Sequence, residues 1–380
     1  MTELNNQNSP FVHFHQKINF KFDGKKYHGY KGDTIASALL RHGVKLIGRS
    51  FKYHRPRGIY TCGIEEPNAL VQIISEYSEP NARATIKKIY EGMEVESQNR
   101  WPSLDFDIGS INSIFSPLFS AGFYYKTFMG PHKSFWKKIY EPVIRKAAGL
   151  GKPPKEFKAI SSHLHHNVDI VIVGGGINGL LAAESLIDTD FDVLLIESDN
   201  QLGGVLNNSS KINEINGQNT QDWIKKTVEN IEKSKNIKIL KNTLVTTYNY
   251  INHLIAVEDK YVGAKPAEDK VNSTLHKIRT EHVILSNGHI ERFLSFQNND
   301  LPGIMLGASF EKYVCRYGVI PSKEPVIFSN NSNTNSLVKT LLELNIKPKA
   351  YIDSRSGEQI EPELFDLIRK NDIPLPPILM

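Results

Sequence analysis

A short, near-continuous apolar run, VDIVIV, leads at Gly174 into GGGINGLLAAESLI, and no other stretch of this 380-residue chain restricts its fold so strongly. Such a run suits a strand buried on both faces of a parallel sheet. Gly174, Gly176 and Gly179 then form G-x-G-x-x-G between that strand and a helix, the context that gives this otherwise weak pattern its meaning. Gly174 allows the tight turn, Gly176 lets a pyrophosphate approach the backbone, and Gly179 lets helix and strand pack closely. The helix N-terminus offers its amides and positive dipole end to the phosphates. A second strand, DVLLIE, ends at Glu197, at about the 20-residue spacing where a carboxylate takes the ribose hydroxyls. An acid there favours NAD or FAD over NADP. Gly203 and Gly204 follow it, and Ser286-Asn287-Gly288 closes a later strand, so the pattern points to a Rossmann-type domain of the two-dinucleotide flavoprotein kind. The bland alternative, a glycine turn without a ligand, does not account for strand, spacing and acid together.

Upstream, INFKFDGKKYHGY alternates and turns at Asp23-Gly24, the signature of a β-hairpin. Asp33 or Thr34 caps the helical run IASALLRHG, Gly43 ends it, and NALVQIIS reads as a further strand. This is the pattern of a ferredoxin-like β-grasp domain over residues 1–84. Residues 85–166 show no clear period and read as a connecting region with short helices, its aromatics engaged in packing and its SHLHH stretch a linker. The dinucleotide domain is expected over 167–322. Residues 323–380 repeat the strand, turn, helix, strand rhythm and read as the start of a second nucleotide-binding-like unit, incomplete, with one short helix from Pro362 to Lys370.

Several classes are set aside. Asp169, Asn178 and Glu184 interrupt the longest apolar stretch, well short of the roughly 20 residues a bilayer span needs. The opening MTELNNQNSP is no secretory signal, so a cytoplasmic location is expected. Cys62 and Cys315 alone cannot supply the four thiolates of an iron–sulfur cluster, so none is expected. His163, His165 and His166 lack a Cys or carboxylate to complete a metal set and read as linker residues. Arg49, Lys52, Arg55 and Arg57 alternate with aromatics, but the stripe is short and the net charge only +5, so no nucleic-acid partner is expected. No catalytic residue is legible.

Four stretches together carry a resemblance: GRSFKYHRPRGIYTCGIEEPNALVQI (Gly48–Ile73), AGFYYKTF (Ala121–Phe128), the GGGINGLLAAE turn, and NNDLPGIML (Asn298–Leu306). They resemble the α subunit of heterotetrameric sarcosine oxidase. The resemblance implies a ferredoxin-like domain that has lost its cluster, an NAD-binding central domain using Gly174, Gly176, Gly179 and Glu197, and FMN at the interface with a β subunit. It further implies β, γ and δ partners and oxidative demethylation of sarcosine to glycine with oxygen as acceptor. The chain stops soon after Asp353 and Arg355, so the folate-binding module is expected on a second polypeptide and the dinucleotide domain is read as truncated. The alternatives are an FAD-binding small subunit of an opine or amine dehydrogenase complex, and a structural remnant without a cofactor.

Overall fold

A computed structural model of the protein describes residues 11–74, 78–114, 116, 130, 132–142, 160–207, 214–267, 270–355 and 359–376. The chain groups into two compact units, Met1–Lys158 with Phe293–Ser322, and Ala159–Arg292 with Lys323–Met380. Among the described residues no helix is long and apolar enough to cross a membrane. The AGFYYKTF stretch lies outside the described residues.

In the first unit, β1 (His13–Phe22) and β2 (Lys25–Lys31) form the expected hairpin, with positive φ at Asp23 and Gly24. Two such residues give the turn whose twist matches the strands. Helix α1 (Ile35–Arg41) is capped by Thr34, whose side chain accepts from the Ser37 amide while the Ser37 hydroxyl accepts from the Thr34 amide. The hairpin β3 (Gly48–Arg49) and β4 (Pro56–Arg57) precedes β5 (Leu70–Ile74), β6 (Glu79–Arg83) and β7 (Met93–Ser97). The main sheet runs β2-β1-β7-β5-β6, with β1 and β7 parallel and the other pairs antiparallel. Its β-grasp topology therefore needs β7, and the boundary expected at residue 84 is corrected: the sheet continues to Ser97. Trp101, read as a packing aromatic, is 65% exposed.

The span expected for the dinucleotide domain, 167–322, is corrected as well: the units do divide at 322, but Phe293–Ser322 belongs to this first unit, and Lys323–Met380 groups with Ala159–Arg292. Tyr313, Tyr317 and Val319 lie in the same core as Phe20, Ile35, Leu39 and Val71, and the Tyr313 hydroxyl donates to the Thr61 carbonyl at 2.9 Å. The basic stripe is part of this construction. Arg55 grips Asp300 with Nε and Nη2 at 2.8 and 2.7 Å, Arg57 also bonds Asp300, and Arg49 donates to the Leu104 carbonyl. Glu66, buried in the turn before β5, accepts from the amides of Tyr60, Thr61, Asn68 and Ala69 and from the Thr61 hydroxyl.

The hydrogen bond from Arg55, reinforced by the charge of Arg57, lowers the Asp300 carboxyl to about 2. This folded value lies below the ordinary carboxylate value of 3.8, so the ionised cluster stabilises the unit fully above that value and loses its contribution as pH falls toward 2. Asp300→Ala is expected to cost about 1–2 kcal/mol at neutral pH, after allowance for partial exposure. Urea denaturation of wild type and variant checks it: the gap should narrow at about pH 3, and a gap independent of pH would contradict the assignment.

In the second unit, β8 (Ile160–Val173) is followed by α2 (Ile177–Ser185), β9 (Val193–Ile196), the short hairpin β10 (Glu214–Ile215) and β11 (Gln218–Asn219), α3 (Thr220–Lys233) and β12 (Ile237–Leu240). Then come β13 (Thr243–Asn249), β14 (His253–Asp259) and β15 (Val271–Leu285). The sheet order is β12-β9-β8-β15-β14-β13, parallel from β12 to β15 and antiparallel beyond. His163, His165 and His166 are not linker residues: they lie in β8, each paired with β15, so the boundary expected at 166 falls inside a strand. After α4 (Gly307–Tyr317) of the first unit, the chain adds β16 (Val326–Ser329), α5 (Asn335–Glu343), β17 (Ala350–Asp353) and α6 (Pro362–Lys370), with β16 and β17 parallel.

Candidate dinucleotide site

Because β8, β9 and β15 run parallel, their C-terminal ends lie along one edge of the sheet, with β9 and β15 on opposite sides of β8. Such a point, where the strand order reverses, is where open α/β sheets bind ligands. The glycine turn leaves β8, Glu197 leaves β9, and Ser286 leaves β15 with its amide bonded to the Val173 carbonyl at 2.8 Å.

Each glycine of the turn answers a separate steric demand. Gly174 sits at φ +101, and a Cβ there would strike the Ser286 carbonyl. A Cβ on Gly179 would strike the carbonyl of Gly174, which is how helix α2 comes to lie against the end of β8. Gly176 differs: the nearest atom to its Cβ position is Gly204 Cα at 4.0 Å. That open space faces the uncapped N-terminus of α2, where Gly176 has extended backbone and no side-chain hydrogen bond. The fold thus leaves a cradle that a side chain would fill, in the place where amides and helix dipole favour a phosphate anion.

Glu197 is buried and partly engaged. Its Oε2 accepts from the Gly175 amide at 2.7 Å, and its Oε1 accepts from the Asp199 amide at 2.8 Å and the Ser198 hydroxyl at 3.0 Å. A carboxylate has about four lone-pair positions, so capacity remains for a ribose hydroxyl. Gly203, at φ +116, donates its amide to the Gly175 carbonyl at 2.8 Å, and Gly204 lies against Gly176. Six of the seven residues read from the sequence therefore come together. Gly288 sits at φ +71, and a Cβ there would meet nothing within 4 Å, while the preceding Ser286 and Asn287 lie against Gly174. Sequence reasoning missed Gly175, whose amide and carbonyl tie the turn to Glu197 and Gly203; the unbroken triple glycine was the available signal.

Residues 172–223 match the family described as an NAD(P)-binding Rossmann-like domain, and residues 15–100 match a 2Fe-2S iron-sulfur cluster binding domain. The second match corrects the expectation of a chain without a cluster: the first unit's sheet is a domain of the cluster-binding kind. Within it the described residues place one thiol, Cys62, pushed up to about 11 chiefly by burial, and among the described residues no group of three His, Cys, Asp or Glu is arranged to hold a metal. Those residues do not fit four-thiolate ligation.

The chain is 40% identical over 352 residues to sarcosine oxidase subunit alpha of Rhizobium meliloti (strain 1021), covering 90% of this chain and 35% of that protein. It is 28% identical to sarcosine oxidase subunit alpha of Corynebacterium sp. (strain P-1), covering 84% of this chain and 28% of that protein. It thus spans about a third of the length of these curated relatives. Among solved structures, L-proline dehydrogenase from P. horikoshii superposes with TM-score 0.60 at 19% identity, covering 93% of this chain and 55% of that chain, which shows a shared fold.

Proposed function

We propose, from a relationship to sarcosine oxidase α subunits that spans nine-tenths of the chain, that this protein is the NAD-binding part of such an oxidoreductase. In this reading it supports the oxidative demethylation of sarcosine to glycine, with oxygen as acceptor and β-, γ- and δ-type subunits as partners. The observation that carries the cofactor assignment is the cradle between Gly176 and Gly204 beside the buried Glu197. The α2 N-terminus and the Gly176 backbone hold the pyrophosphate, and Glu197 takes the ribose hydroxyls with its remaining lone pairs. A bound nicotinamide supplies a hydride acceptor; the chain's own contribution is to hold and orient it.

Glu197 would meet a 2′-phosphate as a like charge in a partly buried place, so NAD is expected to bind at least about tenfold more tightly than NADP. Calorimetric titration with both nucleotides tests this, and equal or tighter binding of NADP would refute it. Gly176→Val should abolish binding while leaving the fold intact, since its side chain enters the cradle rather than the protein. Denaturing the purified protein and identifying what it releases separates the readings further: FAD in place of NAD would favour a flavin-carrying dehydrogenase subunit.

A further inference from the structure

Outside the nucleotide site, three titratable side chains form a continuous hydrogen-bonded chain across β14, β15 and β8. Glu258 Oε2 lies 3.0 Å from His276 Nε2, and His276 Nδ1 lies 2.8 Å from His166 Nε2, with His276 almost wholly buried. β9 pairs with β8 over Ile170–Val173, and the stretch of β8 before that is held by its ladder to β15. The chain sits on this extended part of the sheet.

We propose that Glu258, His276 and His166 form an acid-sensitive latch on the extended part of the β14-β15-β8 sheet. The donor order follows from the ends. An ionised Glu258 only accepts, so His276 carries its proton on Nε2; its Nδ1 then accepts, and His166 donates from Nε2. One added proton, on His166 Nδ1, preserves that order. A second, on His276 Nδ1, sets two donors face to face at 2.8 Å and the bond is lost. The surroundings oppose charging. Lys238 of β12 and His165 of β8 act on His166, and Lys260 bonds Glu258 at 2.5 Å. The Glu232–Lys241 pair, from α3 and the end of β12, borders the same surface as Glu258 and Lys238 and is matched in charge. Burial, then His276, Lys238 and His165, lower His166 below its ordinary value of 6.5. A base lowered in the folded state contributes stability above its ordinary value and loses it as pH falls through the folded value, and the His166–His276 bond itself is lost once both imidazoles are charged, so the latch holds near neutrality and opens in acid.

Amide hydrogen exchange on the full chain, corrected for intrinsic rates, tests this between about pH 7.5 and 5.5. Protection over residues 162–167 and 273–279 is expected to fall at least about tenfold more than protection over β9 and β12, the change that one proton makes over a single pH unit of that window. His166→Gln keeps a group that donates to His276 or, turned over, accepts from it, and cannot be protonated; it should retain its protection at the acid end. An acid loss in H166Q equal to wild type would overturn the latch. Should that variant fold poorly, imidazole NMR titration of wild type decides: His166 and His276 titrating in coupled steps supports the proposal, and independent titrations overturn it.

Discussion

Gly179→Ala is expected to lower the stability of the second unit by about 3 kcal/mol, near the top of the overpacking range, and to remove nucleotide binding with it. The added methyl meets backbone, the Gly174 carbonyl, and backbone cannot rotate away. Relief requires α2 to move off the end of β8, which also carries its N-terminal amides away from the phosphate position. Gly176→Ala is the control, because its methyl finds nothing closer than 4.0 Å. Urea denaturation of both variants gives the comparison; a G179A protein within about 0.5 kcal/mol of wild type would show that the helix tolerates a wider seat than the structure implies.

Glu66→Ala should destabilise the first unit by about 4 kcal/mol or more, since a buried donor left without a partner costs about 1–3 kcal/mol and five donors converge on this carboxylate. Four of them are backbone amides of the turn between β4 and β5, so no rotamer change can redirect them. Glu66→Gln should fare little better, because its amide group presents hydrogens to backbone N–H groups. Near-ultraviolet circular dichroism through thermal unfolding reads the outcome, and a variant melting with wild type would mean that water takes over the carboxylate's place.

Much of the nucleotide cradle was legible because it is written in steric terms. A glycine after a buried strand, another at the helix start and an acid at the next strand end each exclude alternatives locally. β7 escaped notice because it is five residues, MEVES, whose alternation is too brief to stand out. The histidine stretch of β8 misled for a different reason: that half of the strand is polar along much of its length, and only pairing with β15 makes it a strand. Nor does local sequence announce that Asp300 closes on Arg55 and Arg57, a contact across 245 and 243 positions. Long-range partners become visible only when the chain is folded.

The first unit is interrupted in sequence, and this fixes an order of events during synthesis. Its sheet and α1 are complete at Ser97, yet Tyr313, Tyr317 and Val319 belong to the same core. As the ribosome proceeds from the N-terminus, the nascent β-grasp must wait through the whole of Ala159–Arg292 before its last core side chains emerge. The strands of the six-stranded sheet, though later in sequence, are all translated before those side chains appear. The unit that begins first is therefore completed only after the whole six-stranded sheet of the other has been translated, and through that interval its unfilled core is what a chaperone would meet.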